Sequence, residues 1–171
     1  MKLKGQIIAS ILFACSTLMA PATADAEVVR LFSHKAWTVS YVTFASGRTA
    51  CTAGTRNGNG DFFDIRVYPG GGLATFIELN NWTSDIGDRD VNMVLDVDYH
   101  RWTLLDTSLM GNSFMFWFPN ESGTGQFNRQ LANGNAIALK TWNGKHTMAT
   151  WSLAGSSAAI LAFRECIARI I

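Results

Sequence analysis

The chain has 171 residues, of which 48% are hydrophobic and 16% are charged, and its formal net charge at pH 7 is +1. These proportions are typical of one globular domain and exclude a disordered chain. The near-neutral charge provides no general attraction to nucleic acid or to anionic lipid.

The N-terminal segment has the layout of a secretory signal peptide. Lys2 and Lys4 make a short basic start, and an apolar run follows at 7–14. Small residues then form two overlapping A-x-A cleavage sites, which end at Ala24 and Ala26. The sequence therefore predicts a periplasmic or secreted bacterial protein.

Removal of residues 1–26 would leave 27–171 as a single β-rich exported domain with two cysteines, Cys51 and Cys166. Disulfides persist in exported compartments, so these two cysteines are predicted to pair. The pair would close most of the domain into one loop and stabilise it by about 4–5 kcal/mol on the chain-entropy model. The alternative processing is lipidation at Cys15, which would anchor the protein to a membrane.

The first half of the domain predicts β-strands joined by tight turns. Aromatic and β-branched residues mark the first strand, and an alternating pattern with Phe63, Ile65 and Val67 on one face marks the third. Asp64 and Arg66 fall on the opposite face of that strand. The strands are predicted at 37–44, 48–55, 61–68 and 73–79, the last two forming a hairpin.

A polar stretch at 80–90 precedes a second predicted hairpin, with strands at 91–98 and 101–105 around a turn at Tyr99 and His100. Asp96 and Asp98 alternate along the first of these strands, so they are predicted to share a face and to pair with Arg101. The apolar run 113–118, which contains Trp117, predicts a buried strand.

The last third predicts a short helix at 127–134, ended by Gly134 in the left-handed conformation. A hairpin at 136–142 and 146–153 follows around Asn143 and Gly144, a pair that favours two positive φ angles. A serine cap at 155–157 then predicts a C-terminal helix. Its inward face carries Ala159, Ala162, Phe163 and Cys166. The predicted fold is mainly β, an antiparallel sandwich or barrel-like domain with one short helix and a C-terminal α-helix.

This order of elements resembles a known family. The strand Trp37-Thr38-Val39, the following Cys51 and the Leu-x-Gly ending at 153–166, which closes on Cys166, are similar to the invasion-associated locus B family of small exported bacterial proteins. The resemblance implies a β-sandwich-like exported domain at the cell envelope, in contact with a host. It brings no catalytic residues with it.

Exposed tryptophans are the strongest binding candidates, because they offer a large apolar area with one polar handle. Trp82 lies in the polar stretch and Trp142 borders a turn, whereas Trp117 and Trp151 are predicted to be buried. Asp85 and Asp88 lie in the same stretch as Trp82, and Asp90 follows them. Their spacing differs from that of an EF-hand loop, which favours a solvated partner-binding loop over a calcium site.

No catalytic motif, phosphate loop or metal-ligand spacing is present in the sequence, and no cofactor is expected. The sequence therefore predicts a non-enzymatic binding or interaction protein whose partner is an unknown protein or glycan at the envelope. The alternatives are an inhibitor of a secreted hydrolase such as lysozyme, a purely structural envelope protein, and an envelope hydrolase that uses Asp96, Asp98 or a histidine.

Overall fold

The computed structural model describes residues 26–84, 87–118 and 121–170. This part of the chain forms ten strands and two helices. The predicted signal peptide, including Cys15, lies outside the described residues except for its last residue, Ala26. Asp85 also lies outside them. In chain order the elements are β1 Glu27–His34, β2 Trp37–Thr43, β3 Thr49–Arg56, β4 Phe62–Val67, β5 Leu73–Glu78, β6 Arg89–Val97, β7 His100–Met110, β8 Ser113–Trp117, α1 Glu121–Asn133, β9 Ala136–Thr141, β10 Thr147–Ser152 and α2 Ser156–Ile167.

All ten strands belong to one antiparallel sheet, with the order β1-β2-β3-β4-β5-β8-β7-β6-β9-β10. The first five strands form a meander because short turns join neighbours that pair along their whole length. The second half begins at β8, and its order reverses so that β6 lies between β7 and β9. The predicted mainly β fold with a C-terminal helix is confirmed.

Side-chain hydrogen bonds bring β10 against the first half of the sheet. The indole Nε1 of Trp37 donates to the carbonyl of Ser152 at 3.2 Å, and that of Trp151 donates to the carbonyl of Asp61 at 2.9 Å. Both indoles are fully buried, beside Phe63. The sheet therefore folds over, and its two halves share one hydrophobic core.

Helix α2 covers the open side of the core beneath β1, β2 and β3. Its inward face holds Ser156, Ala159, Ile160, Phe163 and Cys166, all buried. The predicted disulfide is present between Cys166 and Cys51, and it ties the helix to the middle of β3. The Ser156 hydroxyl donates to the carbonyl of Leu131 at 2.5 Å and so joins α2 to α1.

The sequence does not predict β1, because this strand mixes polar and apolar residues without a clear period. It pairs with β2 alone at the edge of the sheet, and seven of its eight residues are exposed. Val28, Val29 and Leu31 are each more than 40% exposed. Because neither face is deeply buried, the strand has no alternating pattern to read.

Two turns differ from the prediction. The β6–β7 turn is centred on Asp98 and Tyr99, which both have positive φ, of 44° and 73°. Its position moves Asp98 out of the strand, so Asp96 and Asp98 do not share a strand face. In the β9–β10 loop, Gly144 alone has positive φ, because Trp142 and Asn143 form an ordinary turn closed by a hydrogen bond from the Gly144 N–H to the carbonyl of Thr141.

Both helices begin differently from the prediction. Helix α1 begins at Glu121 rather than at 127. The prediction missed its first turns because the glycines there have a low helix propensity. Gly134 does not adopt the left-handed conformation. A glycine is favoured there because a Cβ would lie 2.8 Å from the Gln130 carbonyl oxygen. Helix α2 has Gly155 at its N-cap, with no serine side-chain cap, since the Ser156 hydroxyl is used by α1.

Candidate functional site

One of the two predicted binding tryptophans, Trp82, lines a shallow depression, and the other, Trp142, lies in the adjoining β9–β10 turn. Trp82 is half-buried and stacks on Phe114 with 5.2 Å between ring centroids. It lines a depression of about 460 Å³ together with Thr141 and Met148. Trp142 follows Thr141 and is 51% exposed. Of the two tryptophans, only Trp142 is prominently exposed, and its chain neighbour Thr141 rather than Trp142 itself lines the depression.

The acidic residues near Trp82 have structural partners. An Asp88 carboxylate oxygen accepts the Gly111 N–H at 3.0 Å, and an Asp90 oxygen accepts the Ser108 hydroxyl at 3.2 Å. These bonds attach the start of β6 to β7 and to the β7–β8 turn. Asp85 lies outside the described residues. Within the described ranges, no group of three or more His, Cys, Asp and Glu side chains is placed to hold a metal ion.

The aspartates proposed for a hydrolase form ion pairs or hydrogen bonds with neighbouring residues, and the histidines lie on different elements. Asp96 lies 3.7 Å from the Arg101 guanidinium and also pairs with the Lys140 ammonium, so the predicted pairing with Arg101 is present. The histidines lie at the end of β1, at the start of β7 and in the β9–β10 loop, at positions His34, His100 and His146.

Asp98 organises the chain before β9. Its carboxylate accepts the Asn135 N–H at 2.6 Å and the Ala136 N–H at 3.0 Å. These hydrogen bonds lower the pKa of the partly exposed Asp98 carboxyl below its ordinary value. A carboxylate that backbone donors hold in its charged form serves a structural role. It is poorly suited to accept a proton in catalysis.

A larger apolar site lies where β7 and β8 diverge. The two strands pair only at Ser108–Met110 with Ser113–Met115, although β7 begins at His100 and β8 continues to Trp117. Their facing edges therefore separate beyond this short ladder. The gap holds a cavity of about 590 Å³. We call it the aromatic groove, and its principal lining residues are Trp102, Leu105, Asp106, Phe116, Trp117 and Phe118.

A β-bulge shapes one wall of the aromatic groove. Val91 pairs with Thr107 and Met93 with Leu104, so two residues of β7, Leu105 and Asp106, lie opposite one residue of β6. Asp106 has a φ of 51°, which few non-glycine residues adopt. The bulge turns Leu105 outward, where it is 53% exposed beside the groove. Bulges that redirect a side chain in this way are frequent next to functional sites.

The floor of the groove is rigid. Trp102 donates its indole N–H to the Gln130 side-chain oxygen at 2.6 Å and packs edge-on against Phe118 at 5.7 Å. Phe116 also meets Phe118 edge-on, at 5.3 Å. This network fixes the rings before any ligand is present, which lowers the entropy lost on binding.

Trp117 contradicts its prediction as a buried residue. It is 44% exposed at the rim of the groove, supported on one side by Tyr68 at 5.5 Å. The apolar run of β8 suggested a core strand, but among the described strands the end of β8 pairs only with β5, at Ala74, because β7 has already diverged on the other side. Trp151, by contrast, is fully buried as predicted.

No family model, curated protein or solved structure matches this chain. The resemblance to the invasion-associated locus B family therefore stays a prediction. In the described part of the chain, no helix has both the length and the apolar character required to cross a bilayer.

Proposed function

We propose that this protein is a non-enzymatic binding protein of the bacterial envelope, and that its aromatic groove receives an extended apolar segment of a protein partner. The observation that carries the proposal is the exposed pair Trp117 and Leu105 beside a preformed aromatic cavity. Exposed apolar residues grouped around a cavity are typical of a binding surface, whereas single exposed residues are ordinary.

The strand edges favour a peptide over a compact small molecule. Before Ser108 in β7 and after Met115 in β8, the facing edges pair with no strand of the described residues across the gap. An extended segment can hydrogen-bond to such an edge while it inserts alternate side chains into a neighbouring pocket. The aromatic rings would supply affinity, and the backbone edge would supply direction.

The acidic residues support a binding role rather than a hydrolytic one. Four of them each bond to a neighbouring strand, turn or cation, and these bonds account for their positions without a catalytic role. They are Asp88, Asp90, Asp96 and Asp98. Hydrolysis by paired carboxylates needs two such groups facing a common substrate position.

A peptide-display selection against the purified disulfide-bonded protein tests this function. We expect enrichment of peptides with aromatic or aliphatic side chains, and at least about tenfold weaker binding to Trp117→Ala and to Leu105→Ser. Leu161→Ser is the matched control, because Leu161 is 61% exposed on α2, away from the groove. Loss confined to Trp82→Ala would move the site to the depression that Trp82 lines, and loss confined to Trp142→Ala would move it to the β9–β10 turn. No enrichment, or an equal loss in the control, would contradict a binding function at the groove.

Export is proposed on separate grounds. The disulfide between Cys51 and Cys166 supports an oxidising compartment, because cytosolic thiols are kept reduced. Alkylation of free thiols in cell fractions tests this part. Recovery of the oxidised protein in the periplasm or medium is expected, and recovery of the reduced protein in the cytoplasm would overturn it.

A further inference from the structure

The face of the sheet opposite the core carries a second concavity, distinct from the aromatic groove. It lies across β1 to β4 and has a volume of about 450 Å³. Register places Arg30, Ser40, Thr52 and Arg66 opposite one another in a single row across these four strands. We call this concavity the polar trough, defined by Arg30, Ser40, Thr52, Gly54, Asp64 and Arg66.

Small residues and aromatic rings both line the trough. Ser40, Thr52 and Gly54 occupy the middle, while Phe44 and Phe62 line its boundary. A Cβ on Gly54 would lie 2.9 Å from the Phe62 ring and 2.8 Å from the Asp64 Cβ. Only glycine at this position lets the ring lie over β3 next to the ion pair.

The floor of the trough holds a buried ion pair. Arg66 Nε and Nη2 donate to the two Asp64 oxygens at 3.0 and 2.6 Å, and the guanidinium lies 4.2 Å from the centroid of the Phe76 ring. Asp64 is 2% exposed and Arg66 is 9% exposed. Burial raises the pKa of the Asp64 carboxyl, because its lost hydration outweighs the attraction of Arg66.

This pair is poorly explained as a stabilising device. Two charges removed from water on a face away from the core contribute little net stability, because desolvation offsets their attraction. Their geometry instead fixes the Arg66 guanidinium in one orientation. Asp64 accepts hydrogen bonds from Nε and Nη2 of the guanidinium. The third nitrogen, Nη1, lies on the side of the guanidinium that the Asp64 carboxylate does not contact.

The rim adds two more cations. Arg30 on β1 is exposed, and its guanidinium forms no hydrogen bond or ion pair with any described residue. Arg56, at the end of β3, is exposed and lies 4.7 Å from the centroid of the Phe62 ring, with one nitrogen donating to the Gly60 carbonyl. Three arginines thus line the trough with one carboxylate, which leaves an excess of positive charge.

We infer that the polar trough binds an anionic sugar. Arginine forks match the planar oxygens of carboxylate and sulfate groups. The hydroxyls of Thr38, Ser40 and Thr52 can exchange hydrogen bonds with ring hydroxyls, because each acts as both donor and acceptor. The partly buried Phe44 and Phe62 rings add apolar surface to the lining, which the C–H groups of a sugar ring can contact. A neutral sugar would leave the cations unpaired, and a simple anion would leave the hydroxyls unused.

Titration calorimetry with three defined oligosaccharides tests the inference on the full disulfide-bonded protein. The probes are an oligogalacturonate, a sulfated heparin-derived oligosaccharide and neutral maltohexaose. Saturable binding of one or both acidic probes, with none of maltohexaose, is expected. The acidic probe that binds more tightly identifies carboxylate or sulfate as the preferred group. Failure of both acidic probes to bind would overturn the inference.

Charge-matched variants separate a built site from general attraction. Arg30→Gln and Arg56→Gln should each weaken binding of the acidic probe by about tenfold or more, since each removes one charged hydrogen-bonding group. Arg129→Gln removes the same charge from an exposed position on α1 and should leave the affinity unchanged. Equal weakening by all three variants would show nonspecific electrostatics and reject the site. Trp117→Ala should not alter sugar binding, so this test is independent of the peptide-binding proposal.

Discussion

Removal of the disulfide should cost this protein a large part of its folding free energy. Cys51 and Cys166 are 115 residues apart in the chain, so the bond closes nearly the whole domain into one loop. The chain-entropy relation gives about 4.8 kcal/mol for a loop of that length at 25 °C. Small domains have about 5–15 kcal/mol of total stability, so the double variant Cys51→Ala/Cys166→Ala should be marginal.

Urea unfolding of the oxidised protein and the double variant, followed by tryptophan fluorescence, measures this cost. Alanine at both positions avoids a buried free thiol, because both cysteines are at most 2% exposed. We expect a loss of about 3–5 kcal/mol and a larger m-value, since the uncrosslinked chain exposes more surface when it unfolds. Ala162→Ser, at a half-buried position on the same helix, controls for altered packing of α2. A loss below about 1 kcal/mol would refute the entropic reasoning and assign the docking of α2 to packing alone.

Three further outcomes follow from single contacts. Trp37→Phe leaves the Ser152 carbonyl without its indole donor and should lower the unfolding free energy by about 1–3 kcal/mol in urea titrations; an unchanged midpoint would mean that the indole bond does not hold β10 in place. Gly134→Ala forces a Cβ to within 2.8 Å of the Gln130 carbonyl oxygen and should cost about 1–3 kcal/mol, whereas Gly58→Ala, with open space around it, should be nearly neutral. Asp98→Asn keeps a side chain that tolerates positive φ but loses the charged acceptor. Because the folded pKa of Asp98 is lowered, its stabilisation is present above the ordinary aspartate pKa of 3.8 and is lost as the pH falls through the folded value. The melting temperatures of wild type and Asp98→Asn should therefore differ near neutral pH and converge in acid, and a gap that widens in acid would contradict this assignment.

Strand patterns with a buried and an exposed face were predictable from local sequence. The hairpin of β4 and β5 follows from alternation and a glycine-rich turn, and the hairpin of β9 and β10 follows from its Asn-Gly signal. Helix α2 was predictable because its apolar residues recur at helical spacing. Each of these signals depends on residues close in sequence, and tertiary packing reinforced them.

The candidate sites were much less predictable. Trp117 was placed in the core because its run of apolar residues is the same whether or not a strand covers it. Its exposure depends on the divergence of β7 from β8, which the bulge at Leu105 and Asp106 accompanies. Asp64 and Arg66 were correctly placed on the face opposite the core, but their burial depends on neighbours from β3 and β5.

By itself, the sequence determined the mainly β class, the C-terminal helix and the pairing of Cys51 with Cys166. The strands and the helix follow from the spacing of apolar residues close together in the chain. The disulfide follows because the predicted exported domain contains only these two cysteines. Tertiary structure decided the order of the ten strands, the folding of the sheet over one core, and the positions of the aromatic groove and the polar trough. These features arise where strands distant in sequence meet or separate. Their energetics depend on which side chains lose contact with water, and a single strand's pattern does not specify its neighbours.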